Sequence, residues 1–184
     1  MEPLHWILLL FGVLVAIAVI RNIRNPPRQI EWSDVPGELR NALRDSLAGF
    51  EVQTVTHVPV AMKYKLRGTY RGREGRAELE CGPKGALQEI EYEDAAIGAV
   101  TRTTECQLTD LSPEAIAHVG ELMGPERSSF QPSRVTAGTC ADQPAFEVRG
   151  SSENWRWEIE ITAGGRLIEM EKDVARGGAG PRPA

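Results

Sequence analysis

The chain has 184 residues, of which 41% are hydrophobic and 26% charged, and its formal net charge is −5. These near-average fractions exclude a collagen-like, a fully disordered or a multi-span membrane protein. The acidic balance gives no electrostatic reason to expect a nucleic-acid partner.

The first segment of the chain is strongly apolar. Residues 4–20 carry no formal charge, and as a helix they would span roughly 26 Å, close to the thickness of a bilayer core. We therefore predict a transmembrane helix over residues 1–20 that contacts membrane lipid through residues 4–20. Two alternatives stay open: a helix buried in a globular core, and a secretory signal cleaved after Ala16-Ile17-Ala18.

Arginines follow this segment, and no Lys or Arg precedes it. By the positive-inside rule, Arg21, Arg24 and Arg28 place the rest of the chain in the cytoplasm. The prolines that follow Asn25 cannot continue a helix, so residues 21–32 are expected to form a juxtamembrane linker. At the other end, residues 174–184 offer little to bury and are expected to be disordered.

An internal repeat occupies most of the remaining chain. RAELECGPKGALQEIEYED from Arg76 aligns with RWEIEITAGGRLIEMEKD from Arg156 at an offset of 80 residues. Upstream, YKLRG from Tyr64 aligns with FEVRG from Phe146 at an offset of 82, a length difference that belongs in a loop. The predicted units are residues 33–95 and 112–173, with a connecting strand or linker over residues 96–111.

Each copy begins with a helix signal. In the first copy, Ser33 is expected to cap a helix whose leucines recur every four residues up to Leu47, before Gly49. In the second, Ser112-Pro113-Glu114 combines a capping serine, a proline at the first helical position and an acid in the first turn. Gly124-Pro125 is expected to end that second helix.

Alternating segments rich in β-prone residues follow each helix. They cover residues 52–58, 60–67, 76–81 and 87–92 in the first copy and residues 146–149, 156–162 and 166–171 in the second. Glycine-containing turns join the last two strands of each copy. We predict an α+β fold in which two helix-plus-antiparallel-meander units share one sheet with both helices on one face.

The hairpin ends KGALQEIEYED and GGRLIEMEKD resemble the end of a PepSY domain, with a glycine at the turn and an aliphatic–acidic alternation after it. The tandem layout of residues 33–173 is similar to the beta-lactamase-inhibitor-like arrangement of that family, in which two copies form one sheet with helices behind it. The resemblance implies a non-catalytic binding or inhibitory module, associated with peptidases or envelope proteins. It also implies a location outside the cytoplasm, opposite to the side that the arginines predict, and both locations stay open.

The repeated glutamates form the candidate binding surface. They recur at period-two positions of the predicted strands, so one face of the sheet should be acidic. Such a face is either solvated and paired with cross-strand arginines, or a protein-binding face, or a catalytic or calcium site. The arginines expected to pair in this way are Arg67, Arg76, Arg149 and Arg156. The candidate binding residues are Glu78, Glu89, Glu91, Glu158, Glu169 and Glu171, with Trp155 and Arg156 at the end of a strand.

The aromatic, cysteine and histidine residues add little chemistry. Trp155 is a candidate exposed binding residue, since tryptophan is common among binding hot spots. Cys106 and Cys140 could form a disulfide only if the domain were exported, whereas Cys81 is expected in the core. His118 is expected on the exposed side of its helix. No spacing of cysteines and histidines suggests a metal site, and we predict neither a metal nor a cofactor.

These observations predict a membrane-anchored, non-catalytic module that binds a protein partner through its sheet face. Two other functions stay open: an enzyme with a carboxylate site between the repeats, and a structural subunit of a membrane complex.

Overall fold

The computed structural model describes residues 25–82 and 85–175, without the side chains of residues 102 and 103. The strands are β1 (Arg28–Ile30), β2 (Phe50–Val58), β3 (Lys63–Tyr70), β4 (Arg73–Cys81), β5 (Leu87–Asp94), β6 (Thr101–Glu105), β7 (Gln131–Cys140), β8 (Gln143–Ser151), β9 (Trp155–Thr162) and β10 (Leu167–Val174). The helices are α1 (Gly37–Ser46) and α2 (Pro113–Met123), and short 3₁₀ helices cover Trp32–Asp34, Leu108–Asp110 and Gly124–Ser128.

The ten strands form one sheet in the order β1-β2-β3-β4-β5-β10-β9-β8-β7-β6. Every neighbouring pair is antiparallel. The order is symmetric about the central β5–β10 pair, with five consecutive strands on each side. The boundaries of the two repeat units, at residues 33–95 and 112–173, stay a prediction.

The predicted fold class, α+β with an N-terminal transmembrane helix, is wrong. The described protein is mostly β, because ten strands accompany two helices of 10 and 11 residues. No helix among the described residues is long and apolar enough to cross a membrane. Residues 4–20, on which the prediction of a single-pass membrane protein rested, lie outside the described residues.

The core lies between the two helices and one face of the sheet. Leu39 and Leu43 of α1 and Val119 of α2 are buried in a single apolar cluster with alternate residues of the central strands, among them Leu79 and Ile159. Successive strand residues point to opposite faces, so the charged residues between these apolar positions project from the other side. We call that side the helix-free face.

The two helices begin differently from one another. The hydroxyl of Ser112 accepts a hydrogen bond from the Ala115 backbone amide at 3.2 Å, and Pro113 is the first helical residue, so the predicted start of α2 is confirmed. The predicted start of α1 at Ser33 is wrong. A residue before proline disfavours the α conformation, and Val35, which precedes Pro36, is extended, so α1 begins only at Gly37.

Two strands are absent from the sequence predictions, the edge strand β1 and the long strand β7. In β7, a proline, an alanine and a glycine interrupt the β-prone residues and hide the alternation. Strand β7 lies between β6 and β8, and Gly138 lets β6 approach closely, since a Cβ at this position would lie 2.0 Å from the Thr101 carbonyl oxygen. Tertiary pairing thus forms a strand that local propensity does not predict.

The connection from the central strand β5 to the edge strand β6 packs on the helix-free face. Val100 and Ile97 form a small apolar cluster with Cys140, Ala145 and Ile168, all of which project from that face. Ile168 reaches this side because the register of β10 shifts between Leu167 and Glu169. The crossing segment covers one end of the helix-free face.

Candidate functional site

A row of charged side chains runs straight across the helix-free face. Strand register places each member directly opposite the next on the neighbouring strand. The row begins and ends with a cation and has four adjacent glutamates between. In order, its members are Lys65, Glu78, Glu91, Glu171, Glu158 and Arg149.

The outer glutamates of this row are paired with cations. Lys63 Nζ lies 2.6 Å from a Glu78 carboxylate oxygen, and Lys65 Nζ lies 3.0 Å from the other. Burial raises the pKa of Glu78, but hydrogen bonds from these two ammonium groups outweigh burial and leave the pKa below its usual value. On the far side, Arg149 Nη2 lies 2.6 Å from Glu158 Oε1.

The inner glutamates lack such partners. We call Glu89, Glu91, Glu169 and Glu171 the central glutamates; all four are half-buried on β5 and β10. Within the described part of the chain, none of them has a Lys or Arg nitrogen within 4.0 Å. The middle of the face is therefore a seam of carboxylates without a direct ion pair among the described residues.

Burial and the charges of neighbouring carboxylates make three of these carboxyl groups, those of Glu89, Glu91 and Glu169, harder to ionise. Burial raises the pKa of Glu91, and the charges of Glu78 and Glu171 raise it further. The pKa of Glu89 is raised by burial and by neighbouring carboxylates. The largest effect is on Glu169, whose pKa rises to about 7 through burial and the neighbouring Glu160. Like charges directly opposite each other destabilise a sheet, so cations supplied from outside would relieve the repulsion.

Two further carboxylates, Glu147 and Glu160, converge with Glu158 of the row beside this seam, under the crossing segment. The ligand atoms of Glu147, Glu158 and Glu160 lie within 4.8 Å of one another. Arg149 Nε donates to Glu147 Oε1 at 2.5 Å, and the Val100 backbone amide donates to Glu160 Oε2 at 2.9 Å. Glu147 is only 1% exposed. Such donors fit an internal network that ties the crossing segment to the sheet.

Trp155 and Arg156 lie on opposite faces of β9. Trp155 is only 7% exposed and packs in the core on the helix side, so its prediction as an exposed residue is wrong. Trp157, two residues further along β9, is buried as well. Arg156 is on the helix-free face, where its guanidinium donates two hydrogen bonds to the Asp173 carboxylate, at 2.9 and 2.5 Å.

His118 and the cysteines are also placed by the structure. The prediction of a surface histidine is wrong, because His118 is 2% exposed and its ring bonds the Tyr70 hydroxyl. Cys81 is buried in the core, as predicted, while Cys106 and Cys140 are both free thiols.

The lysines of β3 that pair with one end of the charged row were not predicted from the sequence. Arg149 was among the arginines expected to pair across strands, but Lys63 and Lys65 were not named. Both lie at alternate positions of β3, on the same face as Arg67. That alternation was a usable signal, although only the register shows that these lysines face Glu78 and Glu80.

No protein-family model matches the chain, and no curated protein matches it either. Solved structures share a weak likeness with it. A DUF2874 family protein from Bacteroides uniformis is 13% identical, with a TM-score of 0.31 over 74% of this chain and 88% of its own. A Bacteroides eggerthii protein described as periplasmic is 12% identical, with a TM-score of 0.31 over 75% and 88% of the two chains. A BLIP-like protein from Bacteroides fragilis is 15% identical, with a TM-score of 0.29 over 80% and 92%.

TM-scores of 0.31 and 0.29 are too low to support an inference about fold or function. Membership of the PepSY family therefore stays a prediction, and so does the binding role of the candidate residues.

Proposed function

We propose that the protein is a non-catalytic binding module whose helix-free face engages a partner protein through a segment rich in Lys and Arg. The observation that carries this proposal is the seam of central glutamates. Four carboxylates lie on two paired strands, and no Lys or Arg nitrogen of the described residues lies within 4.0 Å of any of them.

Charge complementarity selects the partner. The charged row already has a cation at each end, Lys65 on one side and Arg149 on the other. An incoming basic segment therefore gains most electrostatic attraction at the centre of the face. There it would replace repulsion between Glu91 and Glu171 by attraction. Complementary potentials of this kind raise association rates and fix the orientation of the partner.

A catalytic use of the same carboxylates is less well supported. A general acid needs a site that excludes water and positions the substrate. Glu169, with a pKa raised to about 7, has a suitable pKa for that task. Burial and the neighbouring carboxylates of the same face account for this raised pKa, however, so it needs no substrate site to explain it.

The proposal is tested with the full chain and an octalysine peptide, by isothermal titration calorimetry at an ionic strength of about 0.1 M, where the Debye length is about 10 Å. Replacing Glu89, Glu91, Glu169 and Glu171 by glutamine should weaken binding by about tenfold or more, because it removes the carboxylates of the seam.

A matched control removes the same number of charges elsewhere. Its four positions are exposed glutamates outside the row and the central glutamates: Glu31, Glu38, Glu114 and Glu153. Glutamine at these positions should change the affinity by less than about twofold, because exposed charges beyond a Debye length are screened. Equal losses in the two variants would mean that net charge, and not the seam, attracts the peptide.

The cellular side of the module is a separate question, on which the arginine flank and the PepSY resemblance give opposite predictions. A cysteine introduced at Ala184 can be probed in intact cells with an impermeant thiol reagent. Labelling would contradict the cytoplasmic prediction, and protection that ends on lysis would contradict the extracytoplasmic one.

A further inference from the structure

A cavity of about 210 Å³ lies on the helix side of the sheet, away from the acidic face. Its walls come from the β3–β4 turn, the end of β5, α2 and the β9–β10 turn. Drug-sized ligands occupy pockets of about 300–1,000 Å³, and a 150 Å³ apolar cavity holds benzene. The space therefore suits a molecule about as large as one aromatic ring.

The Tyr92 side chain lines this cavity and is only 1% exposed. Its ring packs edge-on against Tyr70 and Phe50. No hydrogen-bond partner for its hydroxyl is found among the residues that the structure describes. Burial raises the pKa of Tyr92, so the hydroxyl remains protonated and can donate. The hydroxyl is therefore available to donate a hydrogen bond to a molecule in the cavity.

Other polar groups of the wall already have partners. His118 Nδ1 lies 2.6 Å from the Gly165 carbonyl oxygen, which can only accept, so Nδ1 carries the proton. His118 Nε2 then accepts from the Tyr70 hydroxyl at 2.7 Å. Arg166 donates to both oxygens of Asp94 at 2.8–3.0 Å. These pairs form a fixed frame around the Tyr92 hydroxyl.

In the other half of the sheet, larger side chains occupy the positions equivalent to this cavity. At the repeat offset of 80, Gly75 corresponds to Trp155 and Tyr92 corresponds to Lys172. The Lys172 ammonium lies 4.7 Å from the centre of the Trp155 ring and 3.0 Å from Glu126 Oε1. The Trp155 ring therefore fills the space there, and the ammonium group has an ion-pair partner. A Cβ at Gly75 would lie 2.7 Å from the Tyr92 hydroxyl. The missing side chain at Gly75 thus gives Tyr92 its room.

The charges at the cavity mouth favour an anion. Arg71 is paired with Glu121, and Arg166 with Asp94. Arg73 also lines the cavity but makes no ion pair with any described residue, which leaves one uncompensated guanidinium. Guanidinium groups bind carboxylates through two parallel hydrogen bonds.

We propose that this cavity binds a small carboxylate whose oxygens accept hydrogen bonds from the Tyr92 hydroxyl and the Arg73 guanidinium. The body of the ligand packs against the Tyr70 ring. This site is separate from the acidic face, so either proposal can fail without the other.

The test is calorimetric titration of the full chain with sodium benzoate at constant ionic strength, with benzamide as the uncharged analogue. Benzoate should bind saturably, and benzamide about tenfold more weakly or not at all. The Tyr92→Phe and Arg73→Gln variants should each bind benzoate about tenfold more weakly, as expected for loss of a hydrogen bond to a charged group.

Matched controls are Tyr64→Phe and Arg67→Gln, which alter a tyrosine and an arginine of β3 outside the cavity. They should bind within about twofold of the unmodified chain. Absence of saturable benzoate binding would overturn the proposal and leave water as the occupant, and so would equal losses in the controls. Thermal unfolding checks that Tyr92→Phe folds; if it does not, the exposed Arg73 still decides the outcome.

Discussion

Glu91 and Glu171 lie directly opposite each other across the β5–β10 pair, at the centre of the symmetric strand order. Each has a further glutamate on its outer side, Glu78 and Glu158 respectively. The sheet therefore joins its two halves by pairing like charges. This arrangement costs folding free energy and concentrates negative potential at one place on the surface.

Binding of octalysine should strengthen as the pH rises from 6 to 8. The pKa of Glu169 is raised to about 7, so this carboxyl loses its proton within that range, while lysine stays charged. If binding requires the ionised form, the affinity should rise by up to about tenfold. Calorimetry at constant ionic strength measures the change. An affinity that is flat over this range would show that Glu169 is not in contact with the peptide.

Glu169→Gln should stabilise the protein at pH 8. The folded-state pKa of Glu169, about 7, exceeds the ordinary value of 4.5, so the folded state holds the proton more tightly. The free energy of unfolding therefore falls as the pH rises from about 4 to about 7. After discounting for solvent screening, the gain at pH 8 should be about 1 kcal/mol and should vanish near pH 4. Urea unfolding followed by tryptophan fluorescence measures it. Glu78→Gln is the matched control, and it should destabilise at pH 8 because the ammonium groups of Lys63 and Lys65 lower the pKa of Glu78.

The free energy of unfolding should fall as the pH drops below about 6.5, because of the protonation of His118. Burial lowers the pKa of His118 in the folded state, so the unfolded chain takes up the proton first and acid favours unfolding. His118→Gln should be less stable at pH 7 by about 1–2 kcal/mol, because it disturbs the bonds to Tyr70 and Gly165. Between pH 7 and pH 5 its free energy of unfolding should nevertheless change less than that of the unmodified chain. Parallel pH profiles would contradict this assignment.

Arg166→Met should destabilise the protein by about 3–5 kcal/mol. The carboxylate of Asp94 is 1% exposed and loses its bidentate partner in this variant. The double variant with Asp94→Asn should recover part of the loss, since it removes the buried charge but keeps an oxygen for the Ala96 amide. A double-mutant cycle by urea unfolding measures the coupling. Additive losses would mean that the two side chains act independently.

Gly68→Ala should destabilise the protein by about 2–3 kcal/mol, as overpacking does. A Cβ at this position would lie 2.1 Å from the Glu51 carbonyl oxygen, so the backbones of β2 and β3 would have to separate. Gly98→Ala is the control, because nothing lies within 4 Å of a Cβ there. Its effect should stay within about 0.5 kcal/mol in the same unfolding assay.

Local patterns in the sequence predicted local structure well. The side of the sheet on which each glutamate lies follows from the period of two, and the start of α2 follows from Ser112 and Pro113. Both depend on residues near in the chain. The start of α1 was missed although its cause is local, because Val35-Pro36 outweighs the capping signal of Ser33.

Long-range packing could not be predicted in this way. The burial of Glu147 and Glu160 depends on a crossing segment from another part of the chain. Register is equally hidden: Gly68 pairs with Gly75, but its repeat counterpart Gly150 pairs with Trp157 and not with Trp155. A shift of two residues keeps every side chain on its face, so the alternating pattern cannot reveal it.

The edges of the sheet are protected at symmetric places. Strand β1 covers only Val55–His57 of β2, and β6 covers only 136–139 of β7, so the far ends of these long strands stay uncovered. Each uncovered end contains a register shift, at Val52/Thr54 and at Pro132/Arg134. Irregular strand geometry and proline both hinder the addition of a foreign strand. The two irregularities therefore oppose edge-to-edge aggregation of a sheet that is otherwise wide and open on one side.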